Sequence, residues 1–467
     1  MKTIERIVVL AAAALAECAF AKDCTVRAVG DGVADDTAAI QQAVDEVSAS
    51  GGGRVTVPKG VYMVCSVALK SNVELHLEKD ASLVACTNLE YFTKSVKDRK
   101  VSGKAVIVSC GAKNIAITGE GTVDGRGWAL NRLITRVPHI TLTDAWQTVM
   151  LCWTKGVRIE GVKLLGASSW TLFLKRCEDV TIRDVNLFAH ANYCNDGIDI
   201  DARNVLIERC EIDAEDDAVC FKTHYANEAT ENVEVRWCKL ASNSGVVKFG
   251  TETKGPFRNI RVHHCLVRSK APSHTIDPHR FPGEDPAARS HALSGLEFNV
   301  CEGGSIEDVV LSDLVLDQGL NVPIYFSCFR AKGIPDSQPS YLRNVRLERI
   351  KMRVPASSAV GNFIRGRDGF RPSDITLRDV ELEMLGGGAD AGSYNEHQRK
   401  RMCPAYGFTI TKADRVLFEN VKIRYADGRE TRPAVVVEDA DVKFSGCDFM
   451  APKGGAEKVV INKGGSR

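Results

Sequence analysis

The sequence predicts an all-β solenoid, a parallel β-helix closed at its N-terminal end by a short capping helix. Two observations predict it. An apolar pattern recurs along most of the chain, and a second short alternating strand follows most copies. The pattern reads polar-Φ-x-Φ-x-x-Φ-x-Φ, with Φ apolar or cysteine. Clear copies start at Gly156, Asp179, Asn204, Asn232 and Asn259, at intervals of 23, 25, 28 and 27 residues. Others start at Asp308, Asn344, Asp374, Arg415 and Asp441, and Asn114 opens the series in a looser form. Two short strands around a polar bend give this alternation. Several strands per turn at a near-constant period are the mark of a parallel β-helix, whereas propeller blades need roughly 40–50 residues.

The elements follow in chain order. Residues 1–21 read as an export signal: Lys2 and Arg6 precede an apolar stretch, and Ala19-Phe20-Ala21 is a small-x-small cleavage site. The mature chain is expected to begin at Lys22, in a secreted or periplasmic location. Residues 22–105 form the N-terminal cap and first coils. There Asp35-Asp36-Thr37 offers a helix N-cap, and Ile40, Ala43, Val44 and Val47 recur at helical spacing before Gly51-Gly52-Gly53. Strands are expected at Val55 and Val73. Residues 106–450 are the solenoid proper, and 451–467 a tail. Within it Ile198 and Ile200, Val219 and Phe221, Val247 and Phe249, and Leu296 and Phe298 are the expected core pairs. The longest insertions, Ala271–Ser290 and Gly386–Arg401, are expected to wall a cleft.

Bulk properties narrow the function. Lys plus Arg number 61 and Asp plus Glu 60, so neither nucleic acid nor an anionic membrane is the expected partner. No apolar stretch beyond the signal is long enough to span a bilayer. Of sixteen cysteines, Cys210, Cys238, Cys265 and Cys447 occupy one apolar repeat position and read as small buried hydrophobes. No paired CxxC supports zinc, and His263-His264 are expected on opposite faces of a strand. Neither a cofactor nor a metal is expected, and the protein is expected to be a monomer.

The chemistry lies in Asn195-Asp196-Gly197-Ile198-Asp199 and Glu215-Asp216-Asp217-Ala218-Val219. Asp196 precedes Asp216 and Asp217 by 20 and 21 residues, one solenoid turn. Core alignment puts Asp196 and Asp217 at one position on successive rungs. Acids this close repel, which raises a pKa and permits one to donate a proton while another activates water. An acidic turn, solvated or holding calcium, is the alternative. Lys222 and Lys248 point out of the core by strand parity. They either hold a sugar hydroxyl or carboxylate or pair with the acids. Trp170 either stacks on a sugar or packs. Tyr325, Arg365 and Arg367 are weaker outward candidates.

Further motifs carry a resemblance. Ala28-Val-Gly-Asp-Gly-Val-Ala-Asp-Asp-Thr, Gly51-Gly-Gly-Arg-Val-Thr-Val-Pro, Gly119-Glu-Gly-Thr-Val-Asp-Gly and Ser169-Trp170-Thr-Leu resemble the N-terminal half of the polygalacturonase family, family 28 of the glycoside hydrolases. The two acidic blocks resemble its Asn-Thr-Asp-Gly and Asp-Asp blocks. The resemblance covers nearly the whole mature chain and implies a right-handed parallel β-helix that hydrolyses a polysaccharide or oligosaccharide with inversion. It makes Asp216 the general acid, and Asp196 and Asp217 the pair that positions and deprotonates water. The chain departs from the pattern at three places. Cys194 replaces an amide, Asn243-Ser-Gly-Val-Val-Lys lacks the histidine of a Gly-His-Gly block, and Glu297-Phe298-Asn299 replaces the cations of an Arg-Ile-Lys block. An acid at a carboxylate-binding position reverses the attraction. The sequence resembles the exported bacterial branch of the family, in which Lys222 and Lys248 fall on facing strands. Asp199, Lys222, Lys248, Glu297 and Asn299 are the candidate substrate-binding residues. A lyase using calcium, and an inactive carbohydrate-binding protein, are the alternatives.

Overall fold

The computed structural model describes residues 22–88, 104–129, 145–166, 168–192, 194–269, 292–317, 320–328, 340–353, 361–384, 404–426 and 428–462. The expected export signal and both long insertions lie outside these residues. Among the described residues no helix is long and apolar enough to cross a membrane.

The chain winds into a right-handed parallel β-helix. Each strand pairs in parallel with the equivalent strand one turn earlier and one turn later. Strand Ile198–Glu208 lies between Leu172–Arg183 on one side and Val219–Thr223 with Thr230–Arg236 on the other. Glu211–Ala214 lies between Asn186–Ala189 and Lys239–Ser242. Parity decides what enters the core. Ile198, Ile200, Val205, Ile207, Ile212 and Ala214 of one turn are all buried inside, and each such burial is worth up to about 1.5–3 kcal/mol. All the expected core pairs are buried. Phe221, Phe249, Phe298 and Phe326 stack along the axis, with ring centroids 4.5, 4.9 and 4.3 Å apart.

The polar residue that opens each repeat has a backbone reason. Asp179, Asn204, Asn232 and Asn259 all have φ between 49° and 58°. Asn and Asp tolerate this left-handed region better than other side chains. Their side chains form a ladder. Asn204 donates to Asp179 at 2.9 Å, Asn232 to Asn204 at 3.0 Å and Asn259 to Asn232 at 2.8 Å. The bend between the two strands of each copy is a second left-handed column, containing Asp184, Arg209, Trp237 and His264. That bend corrects one expectation. His264 leaves the strand there, so His263 and His264 do not face apart: their Nδ1 atoms are 2.8 Å from each other.

Three further expectations are amended. The helix Thr37–Ala49 forms and buries Ile40, Ala43, Val44 and Val47, but the Asp36 side chain does not cap it. Asp35 accepts from the Thr37 N–H at 3.0 Å, while Asp36 accepts from Val29 and Gly30 in the preceding loop. The supposed tail carries strand Val459–Asn462, which pairs with Val435–Glu438 and adds a rung. Within the segment expected to hold the cap and first coils, rung pairing starts at Lys22, opposite Gly53, and it runs on past residue 105. Of the four repeat cysteines, Cys210, Cys238 and Cys265 are buried, whereas Cys447 is only half-buried.

Candidate active site

One face of the solenoid carries the acids. Its strands pair Phe173, Asp199, Cys220, Lys248, Glu297 and Tyr325 in one outward row. Asp196 and Asp217 lie just before two of these strands. Ile198 pairs with Val219, and the Gly197 N–H donates to the Asp217 carbonyl at 2.8 Å. The two carboxylates therefore occupy equivalent places on successive turns. One oxygen of Asp196, one of Asp217 and the Cys220 thiol lie within 4.8 Å of one another. Asn195 shapes the approach: its Oδ1 accepts the Ala191 and Asn192 N–H groups, and its Nδ2 donates to Ser169.

The acids differ in environment. Asp216 is 8% exposed, against 3% for Asp196 and 2% for Asp217. Asp217 accepts from Lys248 Nζ at 2.7 Å and from the Gly245 N–H at 3.0 Å. Burial still pushes its pKa above the usual range, with Lys248 pulling down and Asp216 pushing up. Burial acts against the Lys248 ammonium, but Asp217 and Glu297 outweigh it and hold that pKa above the lysine range. Asp196 has no such partner. Its Oδ1 is buried without a hydrogen bond among the described residues, and Lys222 is 3.8 Å from Oδ2. Burial, then the charges of Asp199 and Asp216, push its pKa well up. Burial and the neighbouring acids thus raise both carboxyls, and of the two only Asp217 has a lysine within hydrogen-bond distance to favour its ionised form.

The candidate substrate-binding residues are redefined by burial. Asp199 is fully buried and lies 3.4 Å from Lys222, so it is a counter-ion below the surface rather than a substrate contact. Lys222 and Lys248 point out of the core as expected, yet they are only 3% and 7% exposed. The ion-pair alternative describes them: Lys222 meets Glu252 at 2.7 Å and lies 4.3 Å over the Trp170 ring. Trp170 itself packs edge-on against Phe173 in a small apolar cluster outside the solenoid core. Glu297 accepts from Ser294 and Asn299, which ties those outward positions to each other. Asn299 Oδ1 is another buried acceptor without a partner among the described residues. Arg365 lies against Phe363, and Tyr325 packs on the same ring, both further along the helix.

Two groups escaped sequence reasoning. Glu252 follows a register shift in strand Gly245–Thr253, so parity counting does not place it. Asp201, 1% exposed, holds His224 Nδ1 at 2.7 Å and Arg176 at 3.4 Å. Asp201 shares a strand with Asp199 and was detectable by parity, two residues further on.

Comparison with known proteins bears on this arrangement. Residues 48–268 match the family described as Glycosyl hydrolases family 28. A probable polygalacturonase of Vitis vinifera is 27% identical over 268 residues, 51% of this chain and 53% of that protein. An exopolygalacturonase of Cochliobolus carbonum is 23% identical over 306 residues, covering 63% and 65%. The chain thus spans about half to two thirds of the length of these relatives. The crystal structure of a hyperthermoactive exopolygalacturonase from Thermotoga maritima shares the fold, with a TM-score of 0.61 at 19% identity, over 86% of this chain and 92% of that one. The matched segment contains Asp196, Asp216, Asp217, Lys222 and Lys248, so the rungs that carry these residues are the part of the chain similar to glycosyl hydrolases family 28.

Proposed function

We propose that this protein is an exported hydrolase of the bacterial branch of that family, cleaving O-glycosidic bonds of pectin-type or related acidic saccharides with inversion. The observation that carries the reading is the set Asp196, Asp216 and Asp217, brought together on successive rungs with Lys248 bonded to Asp217. Asp216, the most exposed of the three, protonates the glycosidic oxygen. Asp217, kept anionic by Lys248, accepts a proton from the attacking water. The unpartnered Oδ1 of Asp196 orients that water. Inversion needs room for water between acid and base, and a floor of buried acceptors below a more exposed acid supports it. The basic and apolar start of the chain supports export.

Asp216→Asn keeps the shape of the side chain and removes the transferable proton. Turnover of oligogalacturonides is expected to fall by at least about a thousand-fold, in the upper range of general acid catalysis, with thermal unfolding nearly unchanged. Retention of activity in this variant refutes the assignment. NMR of the first product anomer tests inversion, and an unsaturated product absorbing in the ultraviolet indicates a lyase instead.

A further inference from the structure

Glu297 and Asn299 leave an open question about substrate charge, because no cation stands at those positions. A second place on the same face supplies one. At the C-terminal ends of the outward strands, Trp153, Arg176, Tyr225, Asn227 and Glu228 line a cavity of about 390 Å³. That volume is within the roughly 300–1,000 Å³ of ordinary ligand sites. Cys152, Lys175 and Asp201 pair across neighbouring rungs there. Asp201 is five residues beyond Asp196, about 16 Å along an extended strand. The cavity is therefore several sugar units from the acids on one continuous surface.

Its lining is unusual for a surface that has only to be solvated. Trp153 is 48% exposed and Tyr225 40%. Trp153 takes φ 48° at the end of its strand, a conformation bulky residues rarely adopt, and its N–H donates to the Lys175 carbonyl at 2.8 Å. The turn carrying Tyr225 and Glu228 is seated on Gly255. A Cβ there would come within 2.4 Å of the carbonyl oxygens of both residues. The two aromatic side chains are thus presented by fixed backbone. Between them lies Arg176, whose side chain is 9% exposed. The buried Asp201 and the Ala229 carbonyl hold its Nη1, each at 3.4 Å, and its Nη2 meets Glu228. Glu228 is 49% exposed, so the outer edge of an anchored guanidinium is covered by a carboxylate free to turn to solvent.

We infer that this cavity is a distal subsite for an acidic sugar residue of a bound oligosaccharide. Trp153 and Tyr225 cover the apolar C–H face of the pyranose ring, and the sugar carboxylate replaces Glu228 on Arg176. The inference rests on the hydrolase reading and extends it to the recognition of charge, through Arg176 in place of the cations absent at 297 and 299.

The test uses oligogalacturonides of increasing length and their carboxyl-reduced counterparts. Trp153→Ala, an exposed change, is expected to raise KM about ten-fold more for long oligomers than for short ones, with little effect on kcat. Glu228→Gln removes the competing carboxylate and is expected to tighten binding of the acidic oligomers several-fold, but not of the reduced ones. Length-independent effects of Trp153→Ala, or equal effects of Glu228→Gln on acidic and reduced oligomers, overturn the subsite. Calorimetric titration of the Asp216→Asn protein separates the two readings. Binding that weakens with Trp153→Ala, in a protein whose unmutated form turns over no oligomer, upholds the subsite and removes the hydrolase.

Discussion

Asp199 shows how one buried acid makes the site sensitive to pH. Burial raises its pKa to about 7, against the pull of Lys222. The unfolded chain releases that proton near pH 4. Between these values the folded state holds a proton that the unfolded state has lost, so this contribution to stability is complete below about pH 4 and disappears as pH rises through about 7. Asp199→Asn removes the titration while keeping the shape, and Lys222 retains Glu252 at 2.7 Å. The melting temperature of the unmutated protein is expected to fall between pH 4 and 8, and that of the variant to fall less. Parallel curves would contradict the role given to Asp199. At this scale the sequence was readable for direction and not for depth. Strand parity correctly turned Asp199, Lys222 and Lys248 away from the core. It carries no information about what covers a residue outside the core, so it could not show that all three are buried.

The repeating element was legible because its two constraints are local. Apolar alternation marks the inward positions, and a polar residue marks each left-handed bend. The capping side chain was not legible, because Asp35 and Asp36 are adjacent and only the loop at Val29 and Gly30 decides which of them turns toward the helix. The ladder position also yields a graded prediction. Asn232 has φ 56°, donates to Asn204 at 3.0 Å and accepts from Asn259 at 2.8 Å. Asn232→Ala loses both side-chain bonds and places a less tolerant residue in the left-handed region, for a combined cost of about 2–4 kcal/mol. Asn232→Gly loses the same bonds but relieves the backbone, so it should be the less destabilising of the two in denaturant unfolding. The reverse order would show that the ladder residue is selected by something other than its dihedral angles.

A solenoid is close to one-dimensional, because each turn touches only the turns beside it. A long separation in sequence, such as the 31 residues between Asp217 and Lys248, is here a one-turn contact. This is why a period found in sequence could bring the acids together without further tertiary information. Glu252 lies past the point where that period slips, and the same logic missed it. The organisation also limits how far damage spreads. Phe249 is fully buried, stacks between Phe221 and Phe298, and adjoins Lys248 in the chain. Phe408 is equally buried but lies on Phe408–Thr411, beyond the strands Ala292–Val300, Leu320–Cys328 and Asn362–Arg365. That is four rungs further on, about 19 Å along the axis. Truncating either ring to alanine should cost about 3–5 kcal/mol. At a temperature where both variants remain folded, only Phe249→Ala should lower kcat, because only there does the cavity lie under Lys248 and its bond to Asp217. Equal losses of kcat would mean that strain travels along the solenoid for several rungs, and that the site depends on the whole stack rather than on the turns that carry it.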